Sequence, residues 1–215
     1  MPNHTRSGPR KLVLVRPPPT AEAALEALDG GRPDEAAALF AARVLADPTD
    51  RDSRLNHVGA LYNASRYAEA AQGYRKLIDE ARPRSLQAVY LFFFLGYSLL
   101  QLEDDWGSLV ATTAFLDNSN EQHPYYTNVL DYTACAWTNL GAVAEGTTLW
   151  RALELRAQPV MDATTRRLMR RLWSRKQIIA TSHRILGLSA KPRPARRCSW
   201  PAADSWSSPP WLGLP

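Results

Sequence analysis

Small and large side chains recur in step along this chain, and this recurrence constrains the fold more than any other feature. In residues 31–48, GRPDEAAALFAARVLADP, Ala36 is followed four residues later by Phe40. In residues 65–83, SRYAEAAQGYRKLIDEARP, Ala70 is followed four residues later by Tyr74. Residues four apart lie on one face of a helix. Small residues there predict helices that press closely against another backbone.

Similar anchors follow further along the chain. The interval from Ala70 to Ser108 equals that from Ser108 to Gly146, and both are slightly longer than the interval from Ala36 to Ala70. Trp150 stands four residues after Gly146, whereas Thr112 occupies the place where an aromatic residue is expected after Ser108. A matching small–large pair precedes each anchor: Ala24 and Ala27, Gly59 and Tyr62, Gly96 and Leu99, and Ala134 and Trp137.

This pattern resembles the tetratricopeptide repeat, whose signature is W-x2-L-G-x2-Y, then A-x3-F and P, with a period of about 34 residues. The interval from Ala36 to Ala70 equals this period. The resemblance covers about residues 20–157 in four copies. It implies an all-α fold, a right-handed α-solenoid of stacked helical hairpins. The residues that follow predict a C-terminal basic amphipathic helix. An antiparallel bundle with alanine-rich seams is the alternative, and the repeated phase favours the solenoid.

Composition and charge divide the chain into four parts. Residues 1–19 are predicted to be a disordered, basic and proline-rich arm, 20–157 the helical array, 158–188 an amphipathic helix, and 189–215 a disordered tail rich in Pro, Trp and Arg. Residues 17–150 hold nine basic and 18 acidic residues, whereas residues 151–215 hold 13 basic and three acidic ones. An acidic body therefore carries basic ends.

Several function classes find no support in the sequence. No apolar run is long enough to cross a membrane, so no integral membrane segment is expected. Phosphate-binding glycine loops and HExxH motifs are absent. Cys135 and Cys198 lie far apart and predict neither a disulfide framework nor a metal site, so the expected location is cytoplasmic. Glu103, Asp104 and Asp105 are expected to cap a helix rather than bind a metal. We expect no catalytic residue, cofactor or metal.

The helix LQAVYLFFFLGYSLLQ in the third copy holds more aromatic residues than its packing positions need. In tetratricopeptide arrays the first helix of each hairpin lines the inner face, where ligands usually lie. The resemblance thus implies an aromatic groove with polar rims that binds a peptide or helix of a partner protein. Its predicted residues are Tyr90, Phe93, Phe94 and Tyr97, with Asn56, Asn63, Asn128, Asp131 and Asn139 beside them. The alternative is that the protein itself, including its C-terminal helix, covers these aromatics.

The expected function is therefore a non-catalytic adaptor or chaperone, and a homo-oligomer is left open. One alternative is a nucleic-acid-associated factor that acts through the basic C-terminus. The cations of that surface are Arg166, Arg167, Arg170, Arg171, Arg175 and Lys176. A second alternative is similarity to the chaperones of type III secretion translocators, which share three repeats and an apolar groove. The fourth repeat and the long basic end depart from that family.

Overall fold

The computed structural model describes residues 18–82, 85–157, 167 and 174–188. These residues form α-helices without any strand, which confirms the all-α class. The helices are α1 (Ala21–Asp29), α2 (Pro33–Ala46), α3 (Arg51–Asn63), α4 (Tyr67–Glu80), α5 (Leu86–Gln101), α6 (Asp105–Asn118), α7 (Tyr126–Asn139), α8 (Val143–Ala157) and α9 (Arg175–Leu188).

Helices α1 to α8 pack in the order in which they occur in the chain. Each packs mainly against the helix before it and the helix after it, and α5 also contacts α7. Short turns join α1 to α2, α3 to α4, α5 to α6 and α7 to α8, so each of these pairs is a helical hairpin. The buried apolar side chains form one cluster that extends from Ala24 in α1 to Ile185 in α9.

The four hairpins close with the same turn. Each turn has one residue with positive φ: Gly31 (68°), Ser65 (58°), Glu103 (61°) and Gly141 (93°). The N–H of the next residue donates to the carbonyl five residues before it: Arg32 to Ala27 (2.8 Å), Arg66 to Leu61 (2.9 Å), Asp104 to Leu99 (2.9 Å) and Ala142 to Trp137 (2.8 Å). This bond and the left-handed residue satisfy carbonyls that the helix end leaves free. The left-handed residues recur at the same intervals as the anchors Ala36, Ala70, Ser108 and Gly146.

These hydrogen bonds define which residues are equivalent, and they correct the phase of the second copy. The carbonyl of Leu61 accepts the bond that Leu99 and Trp137 accept in later copies. Val58, three residues before Leu61, therefore occupies the position of Gly96. The assignment of Gly59 and Tyr62 to these packing positions was wrong, because the turn of the second copy is not shortened.

A glycine on the facing helix compensates for the larger Val58. A Cβ added to Gly73 would lie 3.0 Å from Cγ1 of Val58 and still closer to its Cγ2. In the third hairpin the order is reversed, since Gly96 is on the first helix and a Cβ there would lie 3.0 Å from Cγ2 of Thr112. Where the two helices of a hairpin meet, a small residue on one helix thus makes room for a larger side chain on the other.

The predicted anchors are buried, and two of them show the close backbone approach directly. Ala36, Ala70 and Ser108 are fully buried. The hydroxyl of Ser108 donates to the carbonyl of Gly96 at 2.8 Å. A Cβ on Gly146 would lie 2.7 Å from the carbonyl oxygen of Ala134. Larger residues at these positions would push the two backbones apart. Of the large residues four positions on, Phe40 and Tyr74 are fully buried and Trp150 is partly buried.

Helix α9 lies within the predicted segment 158–188 and packs against α6 and α7. Its Ile178 and Ile185 are buried. The hydroxyl of Ser182 accepts a hydrogen bond from Nε1 of Trp137 at 3.2 Å, and Arg184 pairs with Glu145 of α8 at 2.7 Å. Most of the predicted segment before residue 174, the arm before residue 18 and the tail after residue 188 lie outside the described residues.

The left-handed turn residue predicts opposite effects of glycine and alanine. An L-residue in this conformation costs about 1–2 kcal/mol, and part of the gain from glycine is offset by its greater freedom in the unfolded chain. We expect Ser65→Gly to raise the free energy of unfolding by about 0.5–1 kcal/mol. Gly31→Ala, whose Cβ would meet nothing within 4 Å, should lower it by about 1 kcal/mol. Urea unfolding measures both, and the absence of either effect would argue against the shared turn.

The seam between Val58 and Gly73 predicts a compensating pair of substitutions. Gly73→Ala should lower the free energy of unfolding by about 1–3 kcal/mol, because the added methyl group overpacks the seam. Adding Val58→Ala should restore most of this loss. As a matched control, Gly187→Ala places a methyl group in open space and should cost nothing. Additive effects of the two seam substitutions in a double-mutant cycle would contradict the predicted contact.

Candidate functional site

One continuous network of aromatic rings joins the second, third and fourth hairpins. Its members come from α3, α4, α5, α6, α7 and the segment between α6 and α7. Among the described residues they are Tyr62, Tyr67, Tyr74, Tyr90, Phe93, Phe94, Tyr97, Phe115, His123, Tyr125 and Tyr132. Each ring touches at least one other ring with centroids 4.2–6.5 Å apart, a separation at which aromatic pairs attract each other.

Phe93 and Phe94 form the interior of this network. Phe93 stacks on Tyr125 with centroids 4.2 Å apart and an interplanar angle of 7°, and Tyr132 lies 5.6 Å away. Phe94 lies 5.0 Å from Tyr62, edge to face. The exposed fractions of Phe93 and Phe94 are 1% and 4%. The prediction that their side chains line an open groove is wrong, because both side chains are buried beneath other rings of the network. Tyr97, also predicted, is 9% exposed.

Four half-buried tyrosines, here called the tyrosine face, lie at the edge of the network: Tyr62, Tyr67, Tyr90 and Tyr125. Only Tyr90 was predicted. Tyr62 was missed because the one-residue phase error placed it in the seam, and Tyr67 because it begins a second helix. Tyr125 lies in the segment between α6 and α7, where helical periodicity gives no information. The corrected phase of the turn is the signal that would have found Tyr62.

The hydroxyl groups beside this face remain protonated at neutral pH. Burial, with the neighbouring Tyr67 hydroxyl, raises the pKa of Tyr97 to about 12, and the two hydroxyls share a hydrogen bond. Burial likewise raises the pKa of Tyr62 and of Tyr125 above the ordinary value. These groups therefore act as neutral hydrogen-bonding phenols.

The predicted polar rim divides into two sets. Asn63 is exposed, Asn56 and Asn128 are half-buried, and none of the three side chains makes a hydrogen bond within the described part of the chain. Asp131 and Asn139 are instead bonded inside the protein.

One of these bonds joins the two helices of the fourth hairpin, and the other joins the fourth hairpin to the third. Oδ1 of Asp131 accepts a bond from Nε1 of Trp150 at 2.7 Å, and Nδ2 of Asn139 donates to Oδ1 of Asp105 at 2.8 Å. Burial raises the pKa of Asp131, opposed by the bond from Trp150. Buried Cys135 lies beside Asn139, with 3.8 Å between Sγ and Nδ2. These groups serve the fold rather than an open rim.

The acidic cluster of residues 103–105 caps α6, as the sequence predicted. Oδ1 of Asp104 accepts from the N–H of Gly107 at 2.9 Å, and Asp105 is buried at the first position of the helix. Burial raises the pKa of Asp105, and the bond from Asn139 opposes this rise. Across the described residues, no three His, Cys, Asp or Glu side chains are grouped so as to hold a metal ion.

The predicted basic surface is only partly described. Arg166, Arg170 and Arg171 lie outside the described residues, while Arg167 and Lys176 are exposed. Arg175 is not a free cation, because its Nη1 donates to the carbonyl of Ser119 at the end of α6. The contact attaches the start of α9 to the same segment that contributes Tyr125 to the tyrosine face.

His123 connects that segment to the ring network. Its Nδ1 accepts from the N–H of Tyr125 at 3.2 Å, and its ring lies 5.0 Å from Tyr90 and 4.9 Å from Phe115. Its buried Nε2 has no hydrogen-bond partner among the described residues. Burial lowers the pKa of His123 below 6.5, because a charged imidazolium would lose its hydration among these rings.

This lowered pKa predicts a loss of stability in mild acid. The unfolded chain binds a proton near pH 6.5 more readily than the folded protein does. The free energy of unfolding therefore keeps the contribution of neutral His123 above pH 6.5 and loses it as the pH falls below that value. His123→Asn, whose side-chain oxygen can still accept a hydrogen bond from the N–H of Tyr125, should weaken this pH dependence.

The dependence should not disappear, because the pKa of His57 is also lowered, first by burial and then by the charge of Arg66. Urea unfolding at about pH 7.5 and about pH 5.5 measures the effect, and equal slopes in both proteins would contradict it.

Comparison with known proteins gives no guide to identity. No protein-family model, curated protein or solved structure matches this chain. Within the described residues, no helix combines the length and apolar character needed to cross a membrane.

Proposed function

We propose that this chain is a non-catalytic adaptor or chaperone that binds a segment of a partner protein on the tyrosine face. The hairpins would stack as a right-handed solenoid of the tetratricopeptide class, with this face on the inner side. The four equivalent turns, which recur at nearly equal intervals from Gly31 to Gly141, support the repeat. A cytoplasmic location is proposed together with this role.

The observation that carries this proposal is a set of half-buried tyrosine rings that rest on buried rings. Tyr125 rests on the buried Phe93, and Tyr62 lies edge to face with the buried Phe94. Rings fixed in this way offer a large contact area and lose little freedom when a partner binds. Tyrosine is among the residues enriched at the centres of protein interfaces.

The chemistry of the face supports binding rather than reaction. Phenol groups whose pKa values are raised remain protonated, and the amides of Asn63 and Asn128 do not titrate. Such groups supply hydrogen bonds and apolar contact, whereas acid–base catalysis needs a group with a pKa near the working pH. The proposed roles are contact area for Tyr62, Tyr67, Tyr90 and Tyr125, and orientation of the partner for the asparagines.

Capture of partner proteins should depend on Tyr67. Tyr67→Ala should reduce capture from a lysate of the source cells about 5- to 30-fold, the effect of losing one interface anchor worth about 1–2 kcal/mol. The matched control is Trp106→Ala, which removes an exposed ring of α6 that belongs to none of the ring pairs above and should leave capture unchanged. Immobilised full-length proteins, treated with nuclease and compared by mass spectrometry, provide the measurement.

Two outcomes would overturn the proposal. The same proteins captured equally by wild type, Tyr67→Ala and Trp106→Ala would exclude the tyrosine face as the binding site. Capture that nuclease abolishes would move the function to nucleic acid and to the basic C-terminus. Circular dichroism and a melting curve of each variant ensure that lost capture does not reflect unfolding.

A further inference from the structure

We propose that α9 is a strap that keeps the tyrosine face in its binding form. It does so by holding residues 119–125, the segment between α6 and α7 that carries Tyr125. The effect on partner binding rests on the proposed function, whereas the hold on the segment does not. Three observations carry the inference: how α9 is anchored to the segment, how the segment positions Tyr125, and how the rest of α9 is held.

Arg175 anchors the first turn of α9 to the end of α6. Its Nη1 donates to the carbonyl of Ser119, the residue that caps α6. The last carbonyls of a helix have no partner within it, and the helix dipole favours a cation at this end. A hydrogen bond from a charged donor is also stronger than one between neutral groups. The start of the segment is therefore attached to α9.

From Ser119 the segment continues through short-range hydrogen bonds to Tyr125. The N–H of His123 donates to the carbonyl of Asn120 at 3.1 Å, and the N–H of Gln122 donates to Oδ1 of Asn120 at 2.9 Å. Nδ1 of His123 accepts from the N–H of Tyr125 at 3.2 Å. These bonds form a contiguous connection between the anchored carbonyl and the backbone of Tyr125.

Tyr125 is the member of the tyrosine face that depends on this segment. Its ring stacks on the buried Phe93 at 4.2 Å, but its backbone precedes the first residue of α7. Tyr62, Tyr67 and Tyr90 instead belong to α3, α4 and α5, whose helical hydrogen bonds fix their backbones. The position of one of the four rings is thus set by a connecting segment, and this is the segment that α9 contacts.

Helix α9 is held less firmly than the helices of the array. Four of its described side chains are buried, and two of these are polar: Ile178, Thr181, Ser182 and Ile185. Helix α6 has the same length and buries eight residues. The ion pair between α9 and Glu145 is accessible to solvent, and such pairs contribute little. Elements with few buried contacts open locally before the core unfolds, so α9 is suited to detach and dock again.

Detachment of α9 would change the state of the tyrosine face. Without Arg175 the carbonyl of Ser119 loses its partner, and the segment and Tyr125 gain conformational freedom. A partner that binds the face must then remove this freedom, which lowers its affinity. Docked α9 therefore favours partner binding. The coupling is reciprocal, so a partner that fixes Tyr125 also favours docked α9.

Amide hydrogen exchange of the full-length protein tests the strap without any ligand. The reporters are the N–H groups of Gln122, His123 and Tyr125, which are bonded within the segment. Arg175→Ala should speed their exchange about 5- to 30-fold, the effect of losing one hydrogen bond from a charged donor. The amides of α2, which packs against α1 and α3, should exchange as in the wild type, because the strap opens without global unfolding.

Lys176→Ala is the matched control for Arg175→Ala. Lys176 is the next residue of the same helix, carries the same charge and is exposed. Its removal should leave the exchange of the three reporter amides unchanged. Equal acceleration by Arg175→Ala and Lys176→Ala, or no acceleration by Arg175→Ala, would overturn the strap.

A second variant detaches α9 through its apolar contacts and leaves Arg175 in place. The double substitution Ile178→Ala and Ile185→Ala removes the two isoleucines that are buried in the core. It should speed exchange of the reporter amides as much as Arg175→Ala does, because the anchor cannot stay in position once its helix has left. Faster exchange within α9 with unchanged reporters would overturn the strap.

Capture of partner proteins separates this inference from the proposed function. Arg175→Ala should reduce the Tyr67-dependent capture about 2- to 5-fold, because Tyr125 is less ordered. Faster exchange with unchanged capture, while Tyr67→Ala still reduces capture, would overturn the regulatory role and leave the face as the binding site. Capture that neither Arg175→Ala nor Tyr67→Ala reduces would overturn both proposals.

Discussion

The hydrogen bond that closes each hairpin determines where the other side chains of its first helix lie. It joins the N–H after the left-handed residue to the carbonyl five residues earlier, as from Asp104 to Leu99. Leu99 and Gly96 are thereby directed to the seam with the second helix. Tyr97, one residue further round the helix than Gly96, is directed to the ring network. The same bond in the second hairpin places Leu61 against the second helix and Tyr62 in the ring network. The helical register that packs the hairpin therefore also positions the residues of the candidate site.

At the contact between the two helices of a hairpin, the combined volume of the facing side chains matters more than the residue types. Val58 lies opposite Gly73 in the second hairpin and Gly96 lies opposite Thr112 in the third, so the larger residue of the contact is on a different helix in each. Ser108 adds a further solution, since its hydroxyl is small enough for the seam and bonds to the carbonyl of Gly96. Close packing constrains the sum of the facing side chains, so copies of one structural unit can differ at both positions. A repeat with this freedom leaves a weak sequence signature while its turns remain alike.

The sequence predicted the helices, their pairing and the buried anchors because these follow from spacings of three and four residues. It did not predict that Ser65 and Glu103 adopt the left-handed conformation, which L-residues rarely take, and this is why the second copy was misaligned. It also assigned Phe93 to an exposed floor. The ring that stacks on Phe93 belongs to Tyr125, which precedes α7 in a connecting segment, and no helical period encodes the path of such a segment. Likewise, the internal bonds of Asp131 and Asn139 depend on tertiary contacts with α8 and α6.

Stability and the proposed recognition of a partner depend on the same rings in this protein. Phe93 and Phe94 are core residues by burial, yet they hold Tyr125 and Tyr62 in the positions that the tyrosine face requires. Each buried ring contributes both to the free energy of unfolding and to the preorganisation of the face. A partner that binds the face would therefore stabilise the fold, since it binds only the folded chain. His123 also connects the core with the tyrosine face. Its Nδ1 accepts a hydrogen bond from the N–H of Tyr125, and its ring packs against Tyr90 and Phe115. Protonation of that one imidazole would act on the core and on the face together.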